Sequence, residues 1–234
     1  MRKKSIYVQI AAYGGHGKTH TACSAFPKAF LIDCTVGGDG DNTAMKVFGE
    51  EEFDDRYFRA QTLEEVIEVV DKVIEEGKYC TVVFDEYAGL KNLGREWYLR
   101  NFKNKDGTPK KSVMPSTEWQ HYNNIFREMV RKLRNNNINI VVTSRFDPVY
   151  DAEGHLTDKV KSVSPPNADT EVDFRCKIDV IPPKKEGEKN TRVLRIIKNK
   201  FRPVEDLPKT IPADITWEDI KAEIELADGL EYVE

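Results

Sequence analysis

The sequence predicts an α/β protein: a parallel sheet with helices on both faces. Three observations carry that expectation. Residues 6–19 read as an apolar strand, a glycine turn and a helix start. Residues 81–86 are a second apolar, β-branched run that ends in two acids. Around them, apolar runs of strand length alternate with segments of helical period, the order in which strands lie parallel and their connections cross the sheet faces.

Taken in order, the first strand is expected over 5–11 and a helix over 17–24, closed by Pro27. Ala29-Phe-Leu-Ile-Asp33 reads as a short buried strand ending in a carboxylate, and residues 35–42 as a glycine-rich loop. Thr62 with Glu65 has capping-box spacing. The helix behind it, 63–76, is apolar at 63, 66, 67, 70, 73 and 74, with Gly77 as its stop. A strand follows over 81–85. A helix is expected within 88–117, then a lysine-rich loop around Asp106-Gly107. A further helix from about Ser116 to Asn135 carries Trp119, Tyr122, Ile125, Phe126, Met129, Val130 and Leu133 on one face. Residues 138–144 form another buried strand. Pro148, Gly154, Pro165 and Pro166 mark 145 to about 169 as loop. Residues 172–181 and 191–197 read as a C-terminal β-hairpin, and a short helix begins after Thr216. The expected division is a core over 1–203 and an acidic tail over 204–234, with no internal repeat.

Composition narrows the class. The 234 residues are 32% charged and 39% hydrophobic, with a net charge of −4, enough for a sizeable core under a polar surface. No run of 18 apolar residues is present, so no membrane span is expected. Cys23, Cys34, Cys80 and Cys176 form no CxxC pair and read as buried thiols of a cytoplasmic protein. Residues 50–76 and 205–234 are acidic, whereas 91–111, 127–134 and 184–202 are basic. Such runs are either solvated faces or a basic surface for nucleic acid.

The central motif is Gly14-Gly15-His16-Gly17-Lys18-Thr19, a phosphate-binding loop of the Walker A kind with Ala12 at its first glycine position. Glycines let successive backbone N–H groups turn inward on phosphate oxygens, and the helix that follows adds its positive dipole end. Gly14, Gly15, His16, Gly17, Lys18, Thr19 and His20 are therefore the candidate nucleotide-binding residues. Lys18 suits the β- and γ-phosphates, and the Thr19 hydroxyl suits Mg²⁺. Asp85, ending the second apolar strand as in a Walker B, is the other candidate ligand for Mg²⁺. Parallel sheets bind at the carboxyl ends of their strands, which gathers Lys18, Asp33, Asp85, Glu86 and Ser144 at one edge.

Hydrolysis also needs a group to orient water and extra positive charge on the γ-phosphate. Glu86 is the candidate catalytic base, its alternative being a plain surface acid. Ser144 and Arg145 are candidate γ-phosphate sensors, although Arg145 could instead pair with Asp147. Lys198 and Lys200 are the candidate catalytic cations. Strand alternation puts both on one face, aimed at nucleic acid, at a neighbouring subunit's nucleotide, or at solvent along a sheet edge.

The segment Arg192-Val-Leu-Arg-Ile-Ile-Lys-Asn-Lys-Phe201 resembles the part of bacterial RecA recombinases that carries Lys-Asn-Lys. Together with the phosphate loop, the Walker B strand, Pro115-Ser-Thr-Glu-Trp-Gln-His-Tyr122 and Val141-Val-Thr-Ser-Arg145, it is similar to short phage-type RecA-like ATPases associated with single-strand annealing. The resemblance covers roughly residues 5–202. It implies a RecA-like P-loop fold and a DNA-dependent ATPase that uses ATP and Mg²⁺. It further implies single-stranded DNA as partner and a homo-oligomer, ring or filament, in which Lys198 and Lys200 act in trans. The loop after the 138–144 strand would contact DNA, with Lys159 and Lys161 for phosphates and Phe146 and Tyr150 for stacking. The family's acid two residues beyond Asp33 is Thr35 here, and its glutamine at the end of the 138–144 strand has no match. A weaker resemblance, to partition ATPases, lacks the signature lysine at Tyr13. Two other classes stay open: a small-molecule kinase, and a nucleotide-binding recruitment module that does not hydrolyse.

Overall fold

Consecutive β-branched and apolar residues, buried on both sides, build the centre of the sheet. The computed structural model describes residues 2–35, 40–108, 110, 117–151, 153, 155–183, 190–201, 204–212, 214–223 and 230–233. The strands in chain order are β1 (Arg2–Lys4), β2 (Tyr7–Ala12), β3 (Ala29–Asp33), β4 (Tyr57–Arg59), β5 (Thr81–Asp85), β6 (Asn139–Tyr150), β7 (Leu156–Ser162), β8 (Phe174–Ile181), β9 (Thr191–Asn199), β10 (Lys209–Pro212) and β11 (Leu230–Tyr232). The helices are α1 (Lys18–Ser24), α2 (Gly40–Phe48), α3 (Glu50–Arg56), α4 (Leu63–Glu76), α5 (Tyr87–Asn101), α6 (Trp119–Asn135), α7 (Ala168–Glu171) and α8 (Trp217–Glu223).

The main sheet runs β10-β9-β8-β2-β6-β5-β3-β4. From β8 to β4 every pairing is parallel, and β9 and β10 add antiparallel strands at one end. β6 lies between the strand that leads into the glycine loop and the strand that ends in Asp85. Strands β2, β3 and β5 are buried along their whole length, as befits strands covered on both faces. One face packs α4, α5 and α6 around Ile32, Phe84, Val142, Leu63 and Phe126. The other packs α1, α2 and α8 around Val8, Ile10, Val83, Val141 and Leu194.

Local signals explain several boundaries. Thr62 Oγ1 accepts from the Glu65 amide while Glu65 reaches back to the Thr62 amide, closing the capping box of α4. α5 and α6 approach closely because Gly94 has no side chain: a Cβ there would collide with the Tyr122 ring.

The structure corrects the sequence reading in several places. Residues 146–150 and 156–162, expected as loop, form the two arms of a projecting antiparallel hairpin: β6 continues past its pairing with β2 and β7 returns along it. Its register shifts between Pro148 and Tyr150, which accommodates a proline that cannot donate to a ladder. α2, α3 and β4 occupy a region read without regular structure, while residues 36–39 of the expected glycine loop lie outside the described residues. So do Pro115 and Ser116, which the sequence placed at the start of α6. The C-terminal segment folds back on the core: β10 pairs with β9, β11 pairs in parallel with β1, and Trp217 of α8 rests on Phe26. Cys23, Cys34 and Cys176 are buried free thiols, and Cys80 is half-buried and free. Among the described residues no helix is long and apolar enough to cross a membrane.

Candidate nucleotide-binding site

The glycine loop joins β2 to α1 at the carboxyl edge of the sheet. Gly15 and Gly17 take φ of +76° and +86°, backbone that favours glycine. A Cβ on Gly14 or Gly15 would meet open space, so the loop encloses room for a ligand rather than for its own packing. The loop opens into a cleft of about 390 Å³ whose walls include Lys18, Thr19, Thr35, Thr43, Asp85 and Glu86, with Gly14, Gly15, Gly17, Gly40 and His20 completing it. His16 turns its ring toward Tyr13 at 5.7 Å, and its Nδ1 is buried without a partner among the described residues.

Strand alternation fixes what points inward. Thr81, Val83 and Asp85 share the α1 face of β5. The Thr19 hydroxyl donates to Asp85 Oδ2 at 2.8 Å, and the Thr143 hydroxyl of β6 donates to Asp85 Oδ1. Burial pushes the Asp85 carboxyl above its usual range, while the Thr143 and Thr19 hydroxyls pull it back and Asp33 and Lys18 add opposing smaller effects. Glu86 Oε2 lies 3.9 Å from Lys18 Nζ, and its Oε1 lies 3.4 Å from Arg145 Nε. Burial also raises the Glu86 carboxyl, opposed by Lys18 and Arg145. The Thr19 hydroxyl beside the Asp85 carboxylate is a pair of hard oxygen ligands of the type Mg²⁺ takes, with one ammonium alongside for phosphate. The residues present thus fit a metal-bound nucleotide.

A family model described as an AAA domain matches residues 4–203. The chain belongs to this AAA-domain family. No curated protein matches it. The AAA-domain assignment makes it a P-loop protein of the ATPase kind, a nucleotide-binding class that in general works on ATP with Mg²⁺.

Within this AAA domain the other sequence candidates are distributed as follows. Ser144 is corrected: it is fully buried, and its hydroxyl accepts from Gln9 Nε2 at 3.0 Å on the α4–α6 face, away from the cleft. Its neighbour Thr143 takes the inward place, because one step along a strand reverses the face. Arg145 lies 3.5 Å from Asp147, the partner the sequence offered as its alternative, and also 3.4 Å from Glu86 in the cleft wall. Phe146 packs against Tyr13, ring centroids 5.1 Å apart and planes tilted by 55°, at the base of the hairpin. Lys161 is exposed on β7, opposite Asp147. Lys159 and Tyr150 fall on β7 and β6, but their side chains lie outside the described residues.

Lys198 and Lys200 are brought together, at the opposite edge of the sheet. Because β9 runs antiparallel, Asn199 pairs with Phe174, which pairs with Val8 at the start of β2. Lys198 Nζ donates to the carbonyls of Val172, Asp169 and Ala168 at 2.6, 2.7 and 3.3 Å. Lys200 Nζ reaches the Glu171 carbonyl and Asp173 Oδ1, each at 3.2 Å. Burial and the neighbouring Lys200 charge lower the Lys198 pKa. In this chain both lysines close the end of α7, a packing role the sequence reading discounted. Asp33 is likewise engaged within the chain: Oδ1 accepts from the Thr35 amide and hydroxyl, and Oδ2 from the Tyr57 hydroxyl.

Thr143 and Tyr57 were not among the sequence candidates. The signal for Thr143 was its place two residues before Arg145, on the same strand face, but only the β5–β6 pairing shows that this face meets Asp85.

Proposed function

We propose that the chain is an ATP-hydrolysing AAA-type domain that acts on single-stranded DNA as a homo-oligomer. The observation that carries the hydrolytic part is the convergence of Lys18, the Thr19–Asp85 pair and Glu86 in one cleft. Backbone N–H groups of residues 14–19 bind and orient the phosphates, and Lys18 neutralises the terminal ones. Thr19 and Asp85 would hold Mg²⁺, which when bound offsets charge on the phosphate oxygens. Thr143 keeps the Asp85 carboxylate aimed at that position. Glu86 is the water-orienting base. Its raised carboxyl holds a proton to a higher pH than an ordinary glutamate, so base function needs the Lys18 and Arg145 charges that favour ionisation.

The DNA part is supported by the hairpin. β6 and β7 project from the edge that holds the nucleotide cleft, with Arg145, Phe146 and Lys161 near its base. Tyr13, at the mouth of the phosphate loop, is 47% exposed and braced by the tilted ring of Phe146, giving an aromatic surface on which a base can stack. The oligomer part is supported by position. Lys198 and Lys200 stand more than about 13 Å along the strands from their own loop, counting roughly 3.3 Å per residue over four residues. They are therefore suited to another subunit's nucleotide, once the carbonyls of 168–173 release them. ATP turnover with and without single-stranded DNA tests the whole reading. Stimulation by DNA, falling steeply with salt, supports it. Turnover indifferent to DNA favours a small-molecule kinase or similar enzyme. Binding without turnover favours a recruitment module. Mixing Lys18→Ala with Lys200→Ala subunits should restore part of the turnover if the lysines act in trans, and should restore none otherwise.

A further inference from the structure

Arg192 is the second residue of β9, which lies between β10 and β8, three residues beyond the level of Ala11: Arg195 pairs with Lys177, which pairs with Ala11. The antiparallel course of β9 therefore brings Arg192 to the edge that carries the glycine loop. It shares strand parity with Leu194 and Ile196, which pack on the α1 face. Its guanidinium lies against Gly17: a Cβ on that residue would collide with Arg192 Nη1 and sit 3.5 Å from Cζ. The φ of +86° calls for glycine at position 17, and the Arg192 guanidinium occupies the space its missing side chain leaves.

One arm of the guanidinium is already on an oxyanion. Arg192 Nη2 donates to Asp214 Oδ1 at 3.0 Å, and Asp214 is 79% exposed against 37% for Arg192. An ion pair that open to water is weak, so a more highly charged anion can take the guanidinium from it. Phosphate is the anion a planar fork of five donors recognises best. Lys18 has the Glu86 carboxylate 3.9 Å away, whereas Arg192 has no partner besides the exposed Asp214 among the described residues.

We propose that Arg192 binds nucleotide in cis: its guanidinium is a second cation, after Lys18, for the phosphates held by the 14–19 loop, and it exchanges Asp214 for them. The inference rests on the nucleotide-binding reading of the cleft. Lys18, Glu86 and Arg145 flank one side of the loop, and Arg192 approaches from the side of β9, against Gly17. It therefore grips the part of the polyphosphate that nucleoside di- and triphosphates share, and acts on affinity more than on the chemical step. Asp214 follows β10, so the same exchange frees the segment leading into α8.

The test is titration of Mg·ADP and of a non-hydrolysable Mg·ATP analogue into the full chain and into Arg192→Ala, Arg192→Lys and Asp214→Ala. Arg192→Ala should weaken both nucleotides about tenfold or more, the size of one charge-assisted hydrogen bond. Arg192→Lys should recover part of that loss. Asp214→Ala breaks the same ion pair but leaves the cation, so its affinity should equal or exceed that of the native chain. If Arg192→Ala and Arg192→Lys both bind within twofold of the native chain, the proposal is overturned. It is also overturned if Asp214→Ala loses as much affinity as Arg192→Ala, since the pair then only fastens the C-terminal segment. If the native chain binds neither nucleotide, the reading of the cleft itself falls and this inference with it. Should Arg192→Ala not fold, the comparison of Arg192→Lys with Asp214→Ala decides.

Discussion

Replacing Thr143 by valine isolates one hydroxyl at the centre of the site. Thr143 is fully buried, and valine keeps its shape, so no cavity opens. What is lost is the donor to Asp85 Oδ1, one of two side-chain hydroxyls that serve this buried carboxylate among the described residues. A hydrogen bond to a charged group contributes about 1.5–3 kcal/mol, and leaving the acceptor dry costs a similar amount. Thr143→Val should therefore destabilise the chain by about 2 kcal/mol at neutral pH. The loss should depend on pH in a definite direction. Burial already raises the folded-state pKa of Asp85 above its unfolded value. Ionising it therefore costs stability as pH climbs from the unfolded carboxylate range through the folded pKa. Thr143 is a group that pulls that pKa down, so its removal widens the gap. The destabilisation should be largest above the folded pKa of Asp85. It should shrink toward that of a neutral hydrogen bond, about 1 kcal/mol or less, near pH 3, where both states are protonated. Urea unfolding of both chains in chelator, over a pH series, measures this. A loss below about 0.5 kcal/mol, or one that does not change with pH, would refute the argument that a buried ionised Asp85 is held by this hydroxyl.

Three further outcomes follow from the same geometry. Glu86→Gln should leave nucleotide affinity within a few fold while removing most turnover, and with it the acid limb of the pH–rate profile. In the native chain that limb lies above the ordinary glutamate range, because burial raises Glu86. Gly94→Ala pushes a methyl into the Tyr122 ring, and overpacking of this kind costs about 1–3 kcal/mol in chemical denaturation. Thr62→Ala removes the hydroxyl half of the α4 capping box and should cost about 1 kcal/mol, readable as a lower urea midpoint with unchanged slope.

The parts of the fold that were legible in the sequence are those with local causes. β3, α4 and β5 fall where apolar runs, a capping box and a terminal glycine put them, and the glycine loop needed only its own residues. The parts that were not legible depend on partners distant in the chain. Tyr57–Arg59 becomes a strand because β3 offers it a parallel edge. Residues 146–150 and 156–162 pair as strands in spite of Pro148, because the shift in register absorbs it. The sequence reading favours Ser144 over its neighbour Thr143, because only the pairing of β6 with β5 and β2 shows which face meets Asp85. Lys198 and Lys200 drew attention as an unusual cation pair. Yet α7, too short to be read from periodicity, supplies the carbonyls they bind. Arg192 was passed over because its relation to Gly17 exists only once β9 turns back along β8.

Nucleotide titration into the native chain and into Lys18→Ala, each with Mg²⁺ and with chelator, tests the central claim most directly. The geometry predicts one saturable site per chain for Mg·ATP, markedly weaker in chelator and lost in Lys18→Ala, while both chains keep the same urea midpoint. Binding that survives Lys18→Ala unchanged, or a native chain that takes up no nucleotide at all, would contradict it.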